Sequence, residues 1–308
     1  PPPPPPPPPP LFFFHPQQAI RDPLWSRGLG DVYKRQAVKS GVQEGCECIQ
    51  LFTKNNNQWR AKEITDEDVR LFQEQLDTHN IQHTLSHASY LINLGSPKDE
   101  LWNKSIDAFI VELQRADKLG VPYVVVHPGS FTTSTEAEGI TRIAEGLNEV
   151  HRQTRDLKSR CLLETTAGQG TNLGWNFEQL AEMLDQCQAP ELVGICADTC
   201  HMFAAGYNLC DEASYHEIWN DFDKLIGLDK MKAFHLNDSK REFGSKKDRH
   251  EHIGQGHMGL SAFRYLVNDE RFSQTPMYLE TAKGDAEGDY AGLSWDAANL
   301  SVLRALIE

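Results

Sequence analysis

From Gln36 onward, short apolar runs alternate with amphipathic stretches of helical length. The strand-like runs are CECIQLF (46–52), IQHTLSH (81–87), VPYVVVH (121–127), CLLE (161–164), LVGICAD (192–198), MKAFH (231–235) and PMYLE (276–280). Helical patterns fall near 36–44, 65–79, 98–119, 135–157, 176–188, 211–226 and 260–268, with a last one near 291–307. Strict alternation of strand and helix implies parallel βαβ units. Seven strands and eight helices leave one strand owed ahead of the first helix. Restoring it gives the eight βα units of an α/β fold of the (β/α)8 TIM-barrel type. The alternative, a doubly wound open sheet, usually carries a glycine-rich phosphate loop after its first strand, and the sequence has none.

The owed strand falls where the chain reads least like a core. Residues 1–10 are all proline, which cannot donate backbone hydrogen bonds and favours an extended polyproline helix. Leu11 to Gln36 shows neither helical nor alternating periodicity and resembles translated sequencing-adapter read-through. The expected organisation is a non-native or disordered low-complexity segment over 1–36 and one TIM-barrel domain over 37–308, with the first strand missing or replaced. A natural proline-rich tail is the alternative for the first segment.

A chain of 308 residues can bury a full core, and α/β barrels of this size are commonly single domains. Its seven cysteines are odd in number, sit mostly in apolar runs and form no C-x-x-C pair, a pattern of reduced, buried thiols. No apolar run approaches the roughly 18 residues of a membrane span, and the start lacks the order of a signal peptide. A cytoplasmic protein without a membrane partner is expected. The net charge of −14 counts against a simple basic nucleic-acid module. Bound divalent ions at one mouth would weaken that objection, because net charge says nothing about a local patch.

Chemistry enters at the strand ends. His87, His127, Glu164, Asp198, His235 and Glu280 close six of the seven runs. In a barrel the strand C-termini converge on one face, so residues far apart in sequence meet around one cavity. Any one of these histidines alone is more often a hydrogen-bonded core residue than a ligand. The carboxylates are harder to dismiss, because Glu164 and Asp198 end apolar runs, and a carboxylate drawn out of water needs a cation or a hydrogen-bond network. Mixed imidazole and carboxylate ligands fit zinc or manganese better than magnesium. Three further residues extend the set: His201, three positions past Asp198, and the alternating pair Asp248 and His250 in a loop bounded by Gly244, Gly254, Gly256 and Gly259. Nine candidate ligands suffice for three ions if one carboxylate bridges.

The motifs LFTKN (51–55) with Gln58-Trp59-Arg60, SHASYLINLG (86–95), HPGS (127–130), ETTAGQG (164–170), DTCHMFAAGY (198–207), HLNDSK (235–240), GSKKDRH (244–250) and LET (279–281) follow in order. On these motifs the chain, from about residue 37 to its end, resembles bacterial endonuclease IV, the zinc-dependent apurinic/apyrimidinic endonucleases. The resemblance implies hydrolysis of the phosphodiester 5′ to an abasic site in double-stranded DNA, leaving a 3′-OH and a 5′-deoxyribose phosphate, in base-excision repair; a monomer is the default expectation. It also implies three Zn2+ ions, with Mn2+ an alternative in part. His87 and His127 would hold one ion, and Glu164 would bridge to a second held by Asp198, His235 and Glu280. His201, Asp248 and His250 would hold the third, and Glu164 would act as the catalytic residue that orients or deprotonates the nucleophile. Lys54, Asn57, Trp59, Arg60 and Tyr90 are the implied DNA contacts.

Two departures stand out. The family's Gly-x-His-x-Ser type motif on the first strand is absent, and Asn57 stands where some members carry an arginine that enters the base stack. Two other readings compete. A sugar isomerase or epimerase on the same barrel would use one or two divalent ions and has no evident need for His201, Asp248 and His250. An inactive truncated fragment would expose unpaired strand edges.

Overall fold

The computed structural model describes residues 12–14 and 38–308. Its strands, in chain order, are β1 (Phe12–Phe14), β2 (Cys48–Leu51), β3 (His83–His87), β4 (Tyr123–Val126), β5 (Arg160–Glu164), β6 (Val193–Asp198), β7 (Met231–His235), β8 (Asp238–Ser239), β9 (His250–Glu251) and β10 (Met277–Tyr278). All but β8 and β9 form one closed parallel barrel in the order β1-β10-β7-β6-β5-β4-β3-β2. The expected TIM barrel is therefore present. Its described side chains from β2 to β7 and on β10 are largely buried on both faces, which explains why runs such as VGICAD, buried at all six positions, read as continuously apolar rather than alternating.

The helices are α1 (38–43), α2 (Asp66–Thr78), α3 (Asp99–Leu119), α4 (Glu136–Thr154), α5 (Phe177–Asp185), α6 (Thr199–Ala205), α7 (Glu212–Leu225), α8 (Ser261–Val267) and α9 (Trp295–Ala305). Local chemistry fixes their starts. Thr65 with Asp68 and Thr135 with Glu138 form reciprocal capping boxes, and the side chains of Asn176, Asp211 and Ser294 accept from the first turns of α5, α7 and α9. One buried core runs between barrel and helices, and in it Trp219 of α7 meets Phe222, Phe234 and Phe272 edge to face. All seven cysteines are free thiols. None of the described helices is long and apolar enough to cross a membrane.

Three features differ from the sequence reading. Residues 199–205 form a short helix where the sequence assigned no element; a two-turn element leaves too few positions for periodicity to register. The run at 276–280 narrows to Met277–Tyr278, because the amide of Glu280 donates to the side chain of Asn237 (2.9 Å) instead of to a neighbouring strand.

The third difference concerns the owed strand. Phe12–Phe14, in the segment set aside from the fold, pairs in parallel with β10 (Phe12 opposite Met277, Phe13 opposite Tyr278) and with β2 (Phe13 opposite Cys48, Phe14 opposite Ile49). This corrects the exclusion of the whole segment from the barrel. Three residues suffice because the edges of β2 and β10 otherwise carry unpaired N–H and C=O groups. The remainder of the expected non-native or disordered stretch lies outside the described residues.

Deleting residues 1–36 therefore unpairs two strand edges, and the truncated chain is expected to self-associate under conditions where the full chain stays dispersed. Light scattering of the two side by side checks this; equal dispersity would show that Phe12–Phe14 does not close the ring.

A second prediction concerns His151 on α4. It is 6% exposed, neither ring nitrogen has a hydrogen-bond partner, and burial, with the nearby Arg160, brings its pKa down to about 4 from 6.5. The unfolded chain thus binds the extra proton between these two values, so stability falls as pH drops through that window, by about 3 kcal/mol in all. With chelator present throughout, His151→Leu should lose markedly less stability than the parent between neutral pH and pH 4, read as urea midpoints. Parallel pH curves would contradict the assignment.

Candidate metal centre

Strand direction places the candidate ligands. β3, β5, β6 and β7 end on His87, Glu164, Asp198 and His235, while His127 follows β4 by one residue and Glu280 follows β10 by two. Glu164, Asp198 and His235 are 0% exposed, and His87, His201 and Glu280 are nearly so. His127 is the more open of the strand-end rings. Local structure aims each side chain. Asp198 caps α6 by accepting from the amide of His201 (2.8 Å), so one residue both faces the centre and starts the helix that carries the next candidate. The β8–β9 hairpin brings His250, with Asp248 two residues before it, over the same rim. At the turn after β4, Gly129 has φ +135°, and a Cβ there would sit 2.5 Å from Asn93 Oδ1 and 2.6 Å from the amide of Gly95. Only glycine lets the chain after His127 pass so close.

The nine residues gather into three groups whose facing atoms lie within 4.8 Å of one another: His87, His127 and Glu164; Glu164, Asp198, His235 and Glu280; and His201, Asp248 and His250. Glu164 joins the first two. Its Oε2 is 3.1 Å from His87 Nε2 and 3.0 Å from His127 Nε2, and its Oε1 is 2.8 Å from His235 Nδ1. His235 Nδ1 also lies 3.3 Å from Glu280 and 3.9 Å from Asp198. In the third group, Asp248 Oδ1 is 3.2 Å from His201 Nε2 and 3.3 Å from His250 Nε2. Asp198 Oδ2 reaches to 3.6 Å from His250, linking the second and third groups.

The outer nitrogens explain these orientations. His87 Nδ1 faces the carbonyl of Ala88 (2.7 Å), His201 Nδ1 that of Thr165 (2.8 Å), His250 Nδ1 that of Glu280 (3.2 Å), and His235 Nε2 the amide oxygen of Gln50 (2.7 Å). A carbonyl only accepts, so each outer nitrogen carries the hydrogen. Each inner nitrogen of a neutral ring then turns a lone pair toward a carboxylate oxygen, and His201 and His250 turn theirs toward each other at 3.4 Å. Lone pairs facing lone pairs require a proton or a cation between them. Rings anchored by carbonyls, with carboxylates beside them, are also the usual outer arrangement of a metal site. The donor set therefore fits a zinc-type cation.

Electrostatics without a cation point the same way. Burial opposes charge on all these rings, but Asp198 and Asp248 hold His201 well above its ordinary value and push His250 up to about 10. Burial is likewise outweighed at His235 by Cys196, Glu280 and Glu164. Glu164, which burial would raise, is held well below the carboxylate range by His127 and His235.

Two residues of the centre were not singled out from the sequence. Gln50, wholly buried on β2, accepts from His235 and donates to Glu280 Oε1 (2.7 Å). Asn237 donates to Asp198 Oδ2 (2.6 Å) and accepts from the amide of Glu280. A polar residue inside an apolar run, CIQLF, and the asparagine of HLND were the available signals.

The expected DNA contacts divide. Tyr90 is 44% exposed, with its ring 5.1 Å from His87 and 5.9 Å from His127. Asn57 and Arg60 are exposed, and Trp59 is half-buried under the Lys104 ammonium (4.4 Å). Lys54 is turned inward: its ammonium is buried, 3.2 Å from Glu112 and 2.7 Å from the carbonyl of Gln58, so it holds its own loop. Glu112 also accepts from Thr53 and from the amide of Ser89, tying that loop to the one bearing Tyr90.

The family described as Xylose isomerase-like TIM barrel matches residues 38–303. "Probable endonuclease 4" of Geobacter sp. (strain M21) is 45% identical over 272 residues, 88% of this chain and 94% of the relative. The crystal structure of endonuclease IV from Thermus thermophilus is 33% identical, with a TM-score of 0.77 over 96% of this chain and 98% of that one. A D-tagatose 3-epimerase-like protein, 15% identical, has a TM-score of 0.68 over 96% of both chains, a likeness of fold alone.

Since His201, His235 and His250 hold protons near neutrality without a cation, loading zinc at pH 7 is expected to release them, and affinity should fall as pH drops. Calorimetry in two buffers of different ionisation enthalpy counts those protons. Zinc binding with no proton release would refute this account of the rings.

Proposed function

The chain belongs to the endonuclease IV family, and on that premise we propose that it is a metal-dependent endonuclease of DNA base-excision repair, hydrolysing the phosphodiester 5′ to an abasic site. The products are a 3′-OH and a 5′-deoxyribose phosphate, and the substrate is double-stranded. The observation that carries this reading is the third group. A sugar epimerase on the same barrel has use for the ligands around Glu164, but not for His201, Asp248 and His250 gathered beside them.

Three zinc ions are proposed, one in each group: with His87 and His127; with Asp198, His235 and Glu280; and with His201, Asp248 and His250. Glu164 is shared by the first two. Zinc supplies Lewis acidity, activating water near neutral pH and neutralising charge on phosphoryl oxygens. The chain's own residues supply placement. Glu164 presents both oxygens between the first two groups, and it is the residue proposed to orient the attacking water toward phosphorus. Asp248 and His250, on the hairpin, are the residues proposed to hold the ion that would receive the departing 3′ oxygen. Tyr90 stands over His87 and His127 and is placed to pack against an exposed sugar or base. Asn57, Trp59 and Arg60 extend the same face, without the arginine some relatives insert.

Charge on the rim suits phosphate although the whole chain is acidic. Lys240, Arg241, Lys246, Lys247 and Arg249 are all exposed on the segment that carries Asp248, and Lys246 lies over the Trp175 ring at 4.1 Å. A monomer is proposed to act, in the cytoplasm.

Glu164→Gln should lower incision of an abasic duplex by about 10³-fold while leaving duplex affinity nearly unchanged, because it removes a shared charge and no groove contact. Elemental analysis should find about three zinc ions per parent chain, and a chelator should abolish incision. A chain holding a single manganese or magnesium ion and converting a ketose would sink the nuclease reading.

A further inference from the structure

Gln50 sits at the bottom of the centre, on β2, with no solvent exposure. Its amide nitrogen lies 2.7 Å from Glu280 Oε1, and its amide oxygen 2.7 Å from His235 Nε2. An ionised carboxylate can only accept, so the NH2 side of the amide must face Glu280. The oxygen is thereby committed to His235, which must answer with an N–H at Nε2. That leaves Nδ1 as the nitrogen facing Glu164, Asp198 and Glu280. His235 is thus set apart from His87, His201 and His250, whose Nε2 atoms face inward and whose Nδ1 atoms are anchored on main-chain carbonyls. Its anchor is a side chain, and the same side chain restrains a second member of its group.

We propose that Gln50 is a positioning residue: one buried carboxamide selects the tautomer of His235 and fixes the rotation of Glu280, preorganising the Glu164–Asp198–His235–Glu280 group for its cation. The inference rests on the metal reading above. It goes beyond that reading by assigning one group's affinity to a residue that does not touch the ion. An apolar side chain at this place would leave His235 free to present either nitrogen and would remove the Gln50 donor from Glu280. Both changes weaken the same group and spare the other two.

The test compares the zinc-loaded parent with Gln50→Met and Gln50→Glu. Stepwise chelator competition gives the affinity of each zinc, and long-range nitrogen–proton spectra show which ring nitrogen of each histidine carries hydrogen. In the parent, His235 should be the one of the five histidine ligands bound through Nδ1. Gln50→Met should weaken one zinc by roughly 10–100-fold, leave the others unchanged, and put His235 in mixed tautomers. Gln50→Glu can still accept from Nε2 but repels Glu280, so it should keep the parental tautomer and still lose affinity at that one zinc. Circular dichroism with chelator present tells misfolding from local loss. If a variant fails to fold, the parent's His235 spectrum decides: hydrogen on Nδ1 overturns the proposal, and hydrogen on Nε2 supports it. Parental affinities in a folded Gln50→Met would also overturn it. A parent chain that holds no zinc would overturn the metal reading, and this inference with it.

Discussion

Glu164 is wholly buried, and its two oxygens face different imidazoles: one lies between His87 and His127, the other against His235. An ionised carboxylate taken out of water costs several kcal/mol even after the protein relaxes, and Asp198 adds a second such charge nearby. Hydrogen bonds offset part of that cost. The rest requires positive charge in the cavity, either protons on the surrounding rings or cations among them. Protons and cations would answer the same need, so one set of side chains can serve either state.

That economy depends on rigid anchoring. The outer nitrogens of four rings end on three main-chain carbonyls and one buried amide, so no ring can turn without leaving a buried carbonyl unpaired. Asp198 caps α6, receives Asn237 and approaches His235 and His250. Asp238, one residue further along the chain than Asn237, accepts from the amides of Gly254, Gly256 and Met258. The loop that returns from His250 is thereby pinned to the end of the strand that carries His235. At Gly256 even a methyl group would meet Asp238 and Ser239 at about 2.5 Å or less, so the closeness of this pinning dictates the glycine.

Much of this was legible in the sequence because two independent regularities coincide. Alternating strand and helix runs predict a barrel, a barrel predicts a common rim, and ligand-type residues at six run ends predict what the rim holds. His201, Asp248 and His250 were legible as residue types near that rim, although α6 and the two-residue strands β8 and β9 are too short to produce a period. What stayed hidden depends on partners distant in sequence. Lys54 in LFTKN carries the mark of a phosphate contact, and only Glu112, on a helix beyond the next strand, reveals it as a buried ion pair. Gln50 looks like a polar interruption of a strand until His235 and Glu280 are seen on either side of it. The first strand was hidden for another reason: three residues hydrogen-bonded on both sides belong to the ring through their backbone, and backbone pairing leaves no trace in side-chain periodicity.

The same distinction between local and global applies to charge. A net charge of −14 would repel a polyanion if it were spread evenly, but net charge says nothing about the field at one mouth. The field a duplex meets is set within about one Debye length of the mouth, roughly 8–10 Å. There the exposed cations of residues 240–249 stand beside a cavity whose own sign depends on what fills it. Empty of protons and metal, the cavity would present four or more carboxylates; filled, it is neutral or positive. Cations in the cavity would thus remove a repulsion at the mouth, while the exposed cations of the rim supply the attraction, and an acidic chain can serve a nucleic-acid substrate on both counts.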